Sequence, residues 1–281
     1  MVTRAAPLLA GAAARLEASG IAEARREARL LLAHVTGLGA ERFVGADLPV
    51  DGDAARRFGQ LVERRARRVP LSHIVRRRGF WTLELEVGAE VLDPRPDSET
   101  LISALLGAIP DRRRPLRVLD LGTGSGCLLL ALLAELPQAW GLGVDRSAAA
   151  LTIAARNARR HDLADRTAWL RSDWDAAIAG RFDVMVSNPP YIPSADIPAL
   201  MPEVALHEPR LALDGGADGL VALERVAAAG ARLLAPGGLA AIEFGQGQSE
   251  AVSDLLAGSG LTPVRLHHDL GKNPRCWLAT P

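Results

Sequence analysis

Apolar and polar positions recur with a helical period through the first quarter of the chain. In IAEARREARLLLAHVTG and DGDAARRFGQLVERRARR, Ala and Leu return every three or four residues with Arg and Glu between them. This period predicts amphipathic helices. Gly37 and Gly39 are expected to end the first helix, and Asp51 or Asp53 to cap the second. We therefore expect a small all-helical domain over residues 1–75.

A different pattern begins at residues 76–95, which we interpret as a hairpin linker. The stretch FWTLELEV alternates apolar and polar side chains, as a half-buried strand or hairpin does. LDPRPDSETLI then predicts a proline-containing turn into a helix, with Asp97 or Ser98 as its cap.

Strands and helices alternate from residue 96 to 281. PLRVLDLG, AWGLGVD, TAWLRSD, FDVMVSN and GGLAAIEFG are typical of strands, and two more are expected near TPVRLHHDL and CWLAT. Helical stretches separate most of them. Such alternation predicts an α/β fold, with a doubly wound, mostly parallel sheet of seven strands and helices on both faces.

Composition and charge argue against several classes of function. The 281 residues are 48% apolar and 23% charged, as in a soluble globular protein, and 33 Lys and Arg balance 33 Asp and Glu. No net field therefore draws the chain to nucleic acid or to a membrane. The two cysteines lack metal-ligand spacing, and no clean signal peptide or spanning segment is present. We expect a cytoplasmic protein with no metal and no membrane partner.

The first of four motifs at strand ends is the glycine loop in VLDLGTGSGC. Gly122, Gly124 and Gly126 follow a strand and precede a helix, so the backbone and the helix N-terminus can approach a ligand. The spacing differs from the G-x-G-x-x-G of dinucleotide sites. Asp120 would repel a phosphate, so the loop suits a cationic ligand better. A simple glycine-rich turn is the alternative.

Two acidic motifs follow the next strands. Asp145 lies about 20 residues beyond the loop, where an acid commonly binds ribose hydroxyls; its alternative is a cap for the helix that starts near Ser147. In RSDWD, Asp173 could reach an adenine amino group and Trp174 could cover the ring. The alternative there is a solvated turn with a buried tryptophan.

The fourth motif is the Asn-Pro-Pro-Tyr turn in FDVMVSNPPYIP. Asn188 offers a side-chain carbonyl, and Pro189 has no N–H but a free carbonyl whose direction its ring fixes. Together they could accept both hydrogens of one planar NH2 group. Tyr191, the only tyrosine of the chain, could place its ring against that group. A plain turn at a strand end is the alternative.

Together DLGTGSG, Asp145 and NPPY resemble the class I S-adenosylmethionine-dependent methyltransferases that act on planar amino groups. The flanking VLDPRPDSETLI and EVALHEPRLALDGGADGL extend the resemblance, over nearly the whole chain, to the protein-glutamine methyltransferases of the PrmC/HemK type. It implies S-adenosylmethionine as cofactor and, as substrate, the glutamine of the Gly-Gly-Gln motif in class 1 peptide-chain release factors. It also implies a Rossmann-like methyltransferase domain over residues 96–281, with residues 1–75 docking the substrate.

Carried over by position, the resemblance implies three sets of site residues. Catalytic roles fall to Asn188, Pro189 and Tyr191, and the substrate amide is gripped by Asn188, Pro189, Pro190 and Tyr191. The residues implied in cofactor binding are Asp120, Gly122, Thr123, Gly124, Ser125, Gly126, Asp145, Asp173, Trp174 and Asn188.

Some positions depart from the family pattern, and alternatives remain. His73, Arg76 and Asp93 stand where the family often has other residues, and DLGKNPRCW is looser than usual, which could alter docking. Residues 1–88 hold 15 Arg against 10 Asp and Glu, and the Arg-rich part of this stretch keeps methylation of a base amino group in DNA or RNA as an alternative. A ribosomal-protein glutamine is another, although ALDGG favours the release-factor branch. We expect a monomer that does not bind nucleic acid directly.

Overall fold

The structure is a computed structural model that describes residues 2–281. Its contacts divide the chain into two units. Unit 1 is the chain up to Arg76 together with Met201–His207, and unit 2 is Arg77–Leu200 with Glu208–Pro281.

The regular elements are as follows. The helices are α1 (Ala5–Glu17), α2 (Ala24–Thr36), α3 (Gly52–Ala66), α4 (Leu71–Val75), α5 (Glu99–Ala108), α6 (Cys127–Glu135), α7 (Ala148–Arg160), α8 (Pro202–His207), α9 (Val221–Leu233) and α10 (Ser249–Gly258). The strands are β1 (Val2–Arg4), β2 (Pro49–Asp51), β3 (Arg78–Phe80), β4 (Leu83–Leu85), β5 (Arg117–Leu121), β6 (Trp140–Asp145), β7 (Thr167–Arg171), β8 (Phe182–Ser187), β9 (Leu234–Glu243), β10 (Thr262–His268) and β11 (Pro274–Thr280).

Unit 1 is built from the amphipathic helices that the sequence predicts. Gly37, in the left-handed conformation, ends α2, and Asp51 caps α3 by accepting a hydrogen bond from the Ala54 amide at 2.8 Å. The short antiparallel pair β1–β2 is an addition that the prediction of an all-helical domain did not include. Its residue Val50 is buried with the apolar faces of the helices, so the pair closes one side of their core.

Helix α8 joins unit 1 although it follows the Asn-Pro-Pro-Tyr turn in sequence. The Arg65 guanidinium is 5% exposed and lies between Glu27 (Nε–Oε2, 2.5 Å) and Glu203 of α8 (Nη1–Oε1, 2.9 Å). Arg68 binds the second oxygen of Glu203 at 2.7 Å. Charge-assisted hydrogen bonds with good geometry therefore fasten α8 to α2 and α3.

Unit 2 contains the seven-stranded sheet, in the order β10-β11-β9-β8-β5-β6-β7. The five strands β5 to β9 run parallel, and β11 pairs antiparallel with both β9 and β10. The predicted doubly wound, mostly parallel sheet is thus confirmed. The alternating stretch before it is a hairpin, β3–β4, which turns at Trp81 with φ of 55°.

The order of the strands creates a crevice at the centre of the sheet. From β5 the chain moves to β6 and β7 on one side, and then to β8 and β9 on the other. Connections that diverge in this way leave a gap outside the carboxyl ends of the two central strands, where open α/β sheets bind ligands. Helix α6 follows β5 directly, and its residues Leu128–Leu133 are buried, which holds the connecting loop in place.

Among residues 2–281, no helix combines the length and apolar character needed to cross a bilayer.

Candidate functional site

A cavity of about 260 Å³ opens in unit 2 at the carboxyl ends of the parallel strands. Nine predicted site residues line it: Gly122, Thr123, Gly124, Ser125, Asp145, Asp173, Trp174, Asn188 and Pro190. The structure thus brings together motifs from the ends of four strands. Four other predicted residues, Asp120, Gly126, Pro189 and Tyr191, are not part of this lining.

The glycine loop connects β5 to α6. Gly126 has φ of 81°, and a Cβ there would lie 3.2 Å from both the Ala154 and the Trp169 side chains. Glycine is therefore needed at this position for both conformation and space. The Gly124 amide donates to Asp145 Oδ2 at 2.9 Å, which ties the loop to the end of β6.

Asp120 lies beneath the loop. Its side chain is fully buried, and Oδ2 accepts a hydrogen bond from the Thr123 hydroxyl at 2.6 Å. Burial raises the pKa of Asp120 to about 7, against the hydrogen bond from Thr123, which lowers it. In this position the carboxyl shapes the loop from behind.

Asp145 is held by two backbone donors, because its Oδ1 also accepts from the Ser147 amide at 2.8 Å. The capping residue of α7 is Ser147 itself, whose hydroxyl accepts from the Ala150 amide at 3.2 Å. Asp145 is therefore not the helix cap that was considered from sequence. Its carboxylate is fixed at the cavity wall, where an oxygen can accept further hydrogen bonds.

Trp174 follows β7 in a left-handed backbone conformation, with φ of 48°. Its ring lies near Gly122, since a Cβ on that glycine would be 3.6 Å from the ring. Asp173 lines the same part of the cavity. A flat apolar surface and a carboxylate are thus adjacent, as binding an adenine ring would need.

The Asn-Pro-Pro-Tyr turn starts where β8 ends. Asn188 lines the cavity, and its Nδ2 donates to Ser98 Oγ at 3.1 Å. Ser98 directly precedes α5 but makes no side-chain cap, because its hydroxyl is used in this tertiary contact instead. Pro189 is buried. The Tyr191 hydroxyl donates to Glu243 Oε1 at 3.1 Å, and burial raises the pKa of Tyr191.

The loop before α9 holds the Asn-Pro-Pro-Tyr turn in place through backbone hydrogen bonds. The Ile192 amide donates to the Leu213 carbonyl at 3.0 Å, and the Gly215 amide donates back to Ile192 at 2.9 Å. Gly219 has φ of 78°, and a Cβ there would lie 2.3 Å from the Tyr191 carbonyl oxygen. The glycines of ALDGGADG are thus required by the close approach of this loop to the turn.

Comparison with known proteins assigns the family. The model of the PrmC N-terminal domain matches residues 7–75, and that of the methyltransferase small domain matches residues 96–238. A release factor glutamine methyltransferase from Rhodospirillum rubrum is 50% identical over 97% of this chain and 83% of that protein. One from Caulobacter vibrioides is 45% identical over 94% of this chain and 92% of that protein. The chain belongs to the release factor glutamine methyltransferases.

Solved structures agree on the fold of the family. A 16S rRNA N2 G1207 methyltransferase from Thermus thermophilus, in complex with AdoMet and guanosine, matches with TM-score 0.51 and 24% identity over 73% of this chain and 49% of that one. A methyltransferase from Pyrococcus furiosus matches with TM-score 0.54 and 17% identity over 78% of this chain and 98% of that one. At these identities the likeness concerns the fold alone.

The cofactor of this methyltransferase family is S-adenosylmethionine, and the cavity residues fit it. Backbone at Gly122 and Gly124 offers close approach, and Asp145 and Trp174 suit a ribose and an adenine. Asp120 behind the loop is compatible with the cationic methionine end, and no phosphate group has to be accommodated there.

Sequence reasoning missed an ion pair at the cavity. Arg95 lines the wall, and its Nη2 donates to both oxygens of Glu208 at 2.7 Å. Glu208 is 8% exposed, and burial raises its pKa to about 7 although Arg95 lowers it. Asp93, one of the departures from the family pattern, lies 3.6 Å from Arg78 Nε and is thereby paired within unit 2. The only sequence signal was a pair of motifs, DPRPDS before α5 and HEPR between β8 and β9.

Proposed function

We propose that this methyltransferase transfers the methyl group of S-adenosylmethionine to the side-chain amide nitrogen of the glutamine in the Gly-Gly-Gln motif of a class 1 peptide-chain release factor. One observation carries this assignment. Asn188 stands in the wall of the same cavity as the glycine loop and Asp145, with its NH2 end bound to Ser98. The carbonyl end of Asn188 is then the group available to a planar NH2 ligand.

We assign the cofactor-binding role to the residues that share the cavity with Asn188. All of these residues line one cavity; the backbone from Gly122 to Ser125 would hold the methionine end, Asp145 the ribose, and Asp173 with Trp174 the adenine. When bound, the cofactor supplies a methyl group activated by a sulfonium. Asp145→Asn should weaken S-adenosylmethionine binding, measured by calorimetry, because a neutral amide accepts fewer hydrogen bonds than a carboxylate.

Catalysis by this chain is then mainly positioning. An amide nitrogen is a weak nucleophile, so its approach must be aligned. Asn188 Oδ1 and the Pro189 carbonyl would each accept one hydrogen of the glutamine NH2 group, which fixes the direction of the nitrogen. Alignment of this kind supplies up to about 7–11 kcal/mol in ideal systems. The same two oxygens stabilise the positive charge that develops on the nitrogen. The sulfonium would leave as a neutral thioether, and the methylated nitrogen would release one of its protons to restore a neutral amide.

Asn188→Ala tests this role directly. We expect turnover to fall by about 10²-fold or more, as with loss of other aligned polar groups, while S-adenosylmethionine affinity changes only modestly. Transfer of labelled methyl to a purified release factor measures turnover, and a release factor that lacks the motif glutamine is the substrate control. Gln138→Ala removes an exposed carboxamide and should leave turnover unchanged. Nearly unchanged turnover in Asn188→Ala would contradict the positioning role.

We also propose that unit 1 docks the release factor through its exposed arginines. Arg65 is committed to buried ion pairs, whereas Arg64 and Arg67 on the same helix end are exposed. The double variant Arg64→Glu, Arg67→Glu should therefore raise KM for the release factor with little change in kcat. Arg113→Glu with Arg114→Glu, exposed in unit 2, is the matched control. Equal KM values for the two double variants would contradict docking at this surface.

We expect the enzyme to act as a cytoplasmic monomer on protein rather than nucleic acid. Its balanced charge, 33 Lys and Arg against 33 Asp and Glu, supports a protein substrate. Incubation with labelled S-adenosylmethionine and a mixture of release factor, ribosomal proteins and RNA identifies the acceptor. Label on RNA or on a ribosomal protein alone would overturn the assignment.

A further inference from the structure

Glu243 lies behind the Asn-Pro-Pro-Tyr turn, at the carboxyl end of β9. Its side chain is 1% exposed and is not part of the cavity wall. Nevertheless it reaches both ends of the turn. Tyr191 donates to its Oε1 at 3.1 Å. At the other end, Ser98 accepts from Asn188 and lies close enough to the Glu243 carboxyl to lower its pKa.

The directions of these hydrogen bonds follow from what each group can donate. The Ser98 oxygen accepts from Asn188 Nδ2, so the hydroxyl proton of Ser98 must point elsewhere. Glu243 Oε2 is buried and accepts no hydrogen bond with regular geometry from residues 2–281. The Ser98 hydroxyl, which lowers the pKa of the Glu243 carboxyl, has a proton that is free to turn towards this oxygen. A carboxylate can only accept, so a hydroxyl that binds Glu243, as Tyr191 does, must turn its proton towards it.

We propose that Glu243 is a positioning residue that determines which end of the Asn188 carboxamide faces the substrate. With a carboxylate behind it, Ser98 is forced to act as acceptor towards Asn188. The NH2 end of Asn188 is then held at Ser98, and the carbonyl end faces the cavity. Because the substrate in the proposed function presents an NH2 group, only this orientation can bind it; the reverse would place two donors face to face.

This role explains why Asn188 adopts one of two carboxamide orientations that have nearly the same shape. The two ends of a carboxamide are nearly equal in size, so packing does not distinguish them. The direction of the hydrogen bonds does distinguish them. Here Glu243 sets the direction of the Ser98 hydroxyl, and Ser98 in turn sets which end of Asn188 it binds. Tyr191, at the other end of the turn, binds Oε1 of the same carboxyl and leaves Oε2 for Ser98.

The role also predicts a dependence on pH. The titratable groups around Glu243 are Asp97, Cys127, Tyr191, Arg275 and Cys276. Burial raises the pKa of Glu243 to about 7 and Asp97 adds to the rise, whereas Arg275 lowers it. Arg275 is itself bound to Asp269 at 2.8 Å, which limits its influence. A protonated Glu243 can donate to Ser98, so the fixed polarity is lost below this pH.

Four substitutions test, through turnover, the proposed relay of hydrogen bonds from Glu243 through Ser98 to Asn188. Glu243→Gln should lower kcat by about tenfold or more at pH 8, because a glutamine can accept from only one of the two hydroxyls, with S-adenosylmethionine affinity unchanged. Ser98→Ala should act similarly, whereas Ser98→Thr keeps the hydroxyl and should retain most activity. In a Tyr191→Phe background the competing hydroxyl is absent, so Glu243→Gln should cost only about threefold or less. An undiminished kcat in Glu243→Gln or Ser98→Ala, or equal losses in both backgrounds, would overturn the role.

A direct readout does not depend on the substrate. The chain has three asparagines, Asn157, Asn188 and Asn273, so selective ¹⁵N labelling gives three side-chain NH2 signals in NMR spectra. The Asn188 signals should be protected from hydrogen exchange in the wild type and lose protection in Ser98→Ala. Glu243→Gln should shift them as lowering the pH below 7 does. Unprotected Asn188 signals in the wild type would refute the relay, whereas failure to methylate release factor would refute only the proposed function.

Discussion

Glu243→Gln should make the protein more stable while making it a poorer enzyme. The folded-state pKa of Glu243 is raised from 4.5 to about 7, because burial disfavours the carboxylate. A raised acid pKa means that ionisation costs folding free energy. The cost is absent below pH 4.5, grows as the pH rises to about 7, and is constant above that value. Glutamine has the same shape without the charge, and its carbonyl can still accept from Tyr191.

The magnitude follows from the size of the shift. At about 1.4 kcal/mol per pKa unit, the ionised carboxyl costs on the order of 3 kcal/mol at pH 8. We therefore expect Glu243→Gln to gain about 1–3 kcal/mol in the free energy of unfolding at pH 8 and much less at pH 5. The lower end allows for an imperfect hydrogen bond to Ser98.

Urea unfolding followed by tryptophan fluorescence measures this difference. All five tryptophans lie in unit 2, as does Glu243, so the signal reports the relevant unit. Glu250→Gln removes an exposed carboxyl on α10 and is the matched control, with no change expected at either pH. A variant that is less stable than wild type at pH 8, or a gain that persists equally at pH 5, would refute the reasoning.

Two further substitutions test how the site and unit 1 are held. Gly219→Ala combines a strained φ with a 2.3 Å clash against the Asn-Pro-Pro-Tyr turn, whereas Gly237→Ala shares a similar φ of 77° with open space around it. Only Gly219→Ala should lower kcat in methyl-transfer assays. Equal effects of the two variants would contradict the role of the loop before α9 in holding the turn. Arg65→Met leaves Glu27 without Arg65 and Glu203 with Arg68 alone; it should destabilise unit 1 by about 3–5 kcal/mol, seen in thermal melts by circular dichroism. Adding Glu27→Gln and Glu203→Gln to this variant should recover much of the lost stability. No recovery would contradict the role of the ion pairs.

The general fold follows from the sequence because the signals that carry it are local. The period of the apolar residues changes from helical to alternating strands and helices near residue 96, and the mostly parallel character of the sheet in unit 2 follows from that alternation. The site motifs were found for the same reason. Each follows the end of a parallel strand, and parallel strands place their carboxyl ends along one edge, so Gly122, Asp145, Trp174 and Asn188 meet at one cavity.

What the sequence did not reveal depends on contacts between distant residues. Asp97 or Ser98 was expected as the cap of α5; Ser98 does stand at the cap position, but its hydroxyl binds Asn188, which lies 90 positions further along the chain. Glu243 was part of an apparently ordinary strand, and nothing local marks it as the partner of Tyr191. The sequence of Met201–His207 shows no pattern that would assign it to unit 1. The ion pairs of Glu203 connect it to that unit.

Three buried carboxyls around the cavity share one physical situation. Asp120, Glu208 and Glu243 each have a pKa raised to about 7 by burial, so each lowers stability when ionised at neutral pH. None of the three lines the cavity. Each carboxyl instead orients a residue that lines the cavity. Asp120 orients Thr123, Glu208 orients Arg95, and Glu243 orients Asn188 through Ser98. Stability alone would favour neutral residues at these positions. Their common placement is better explained by orientation, because an ionised carboxylate is the one side chain that can only accept hydrogen bonds and so fixes the direction of every donor around it.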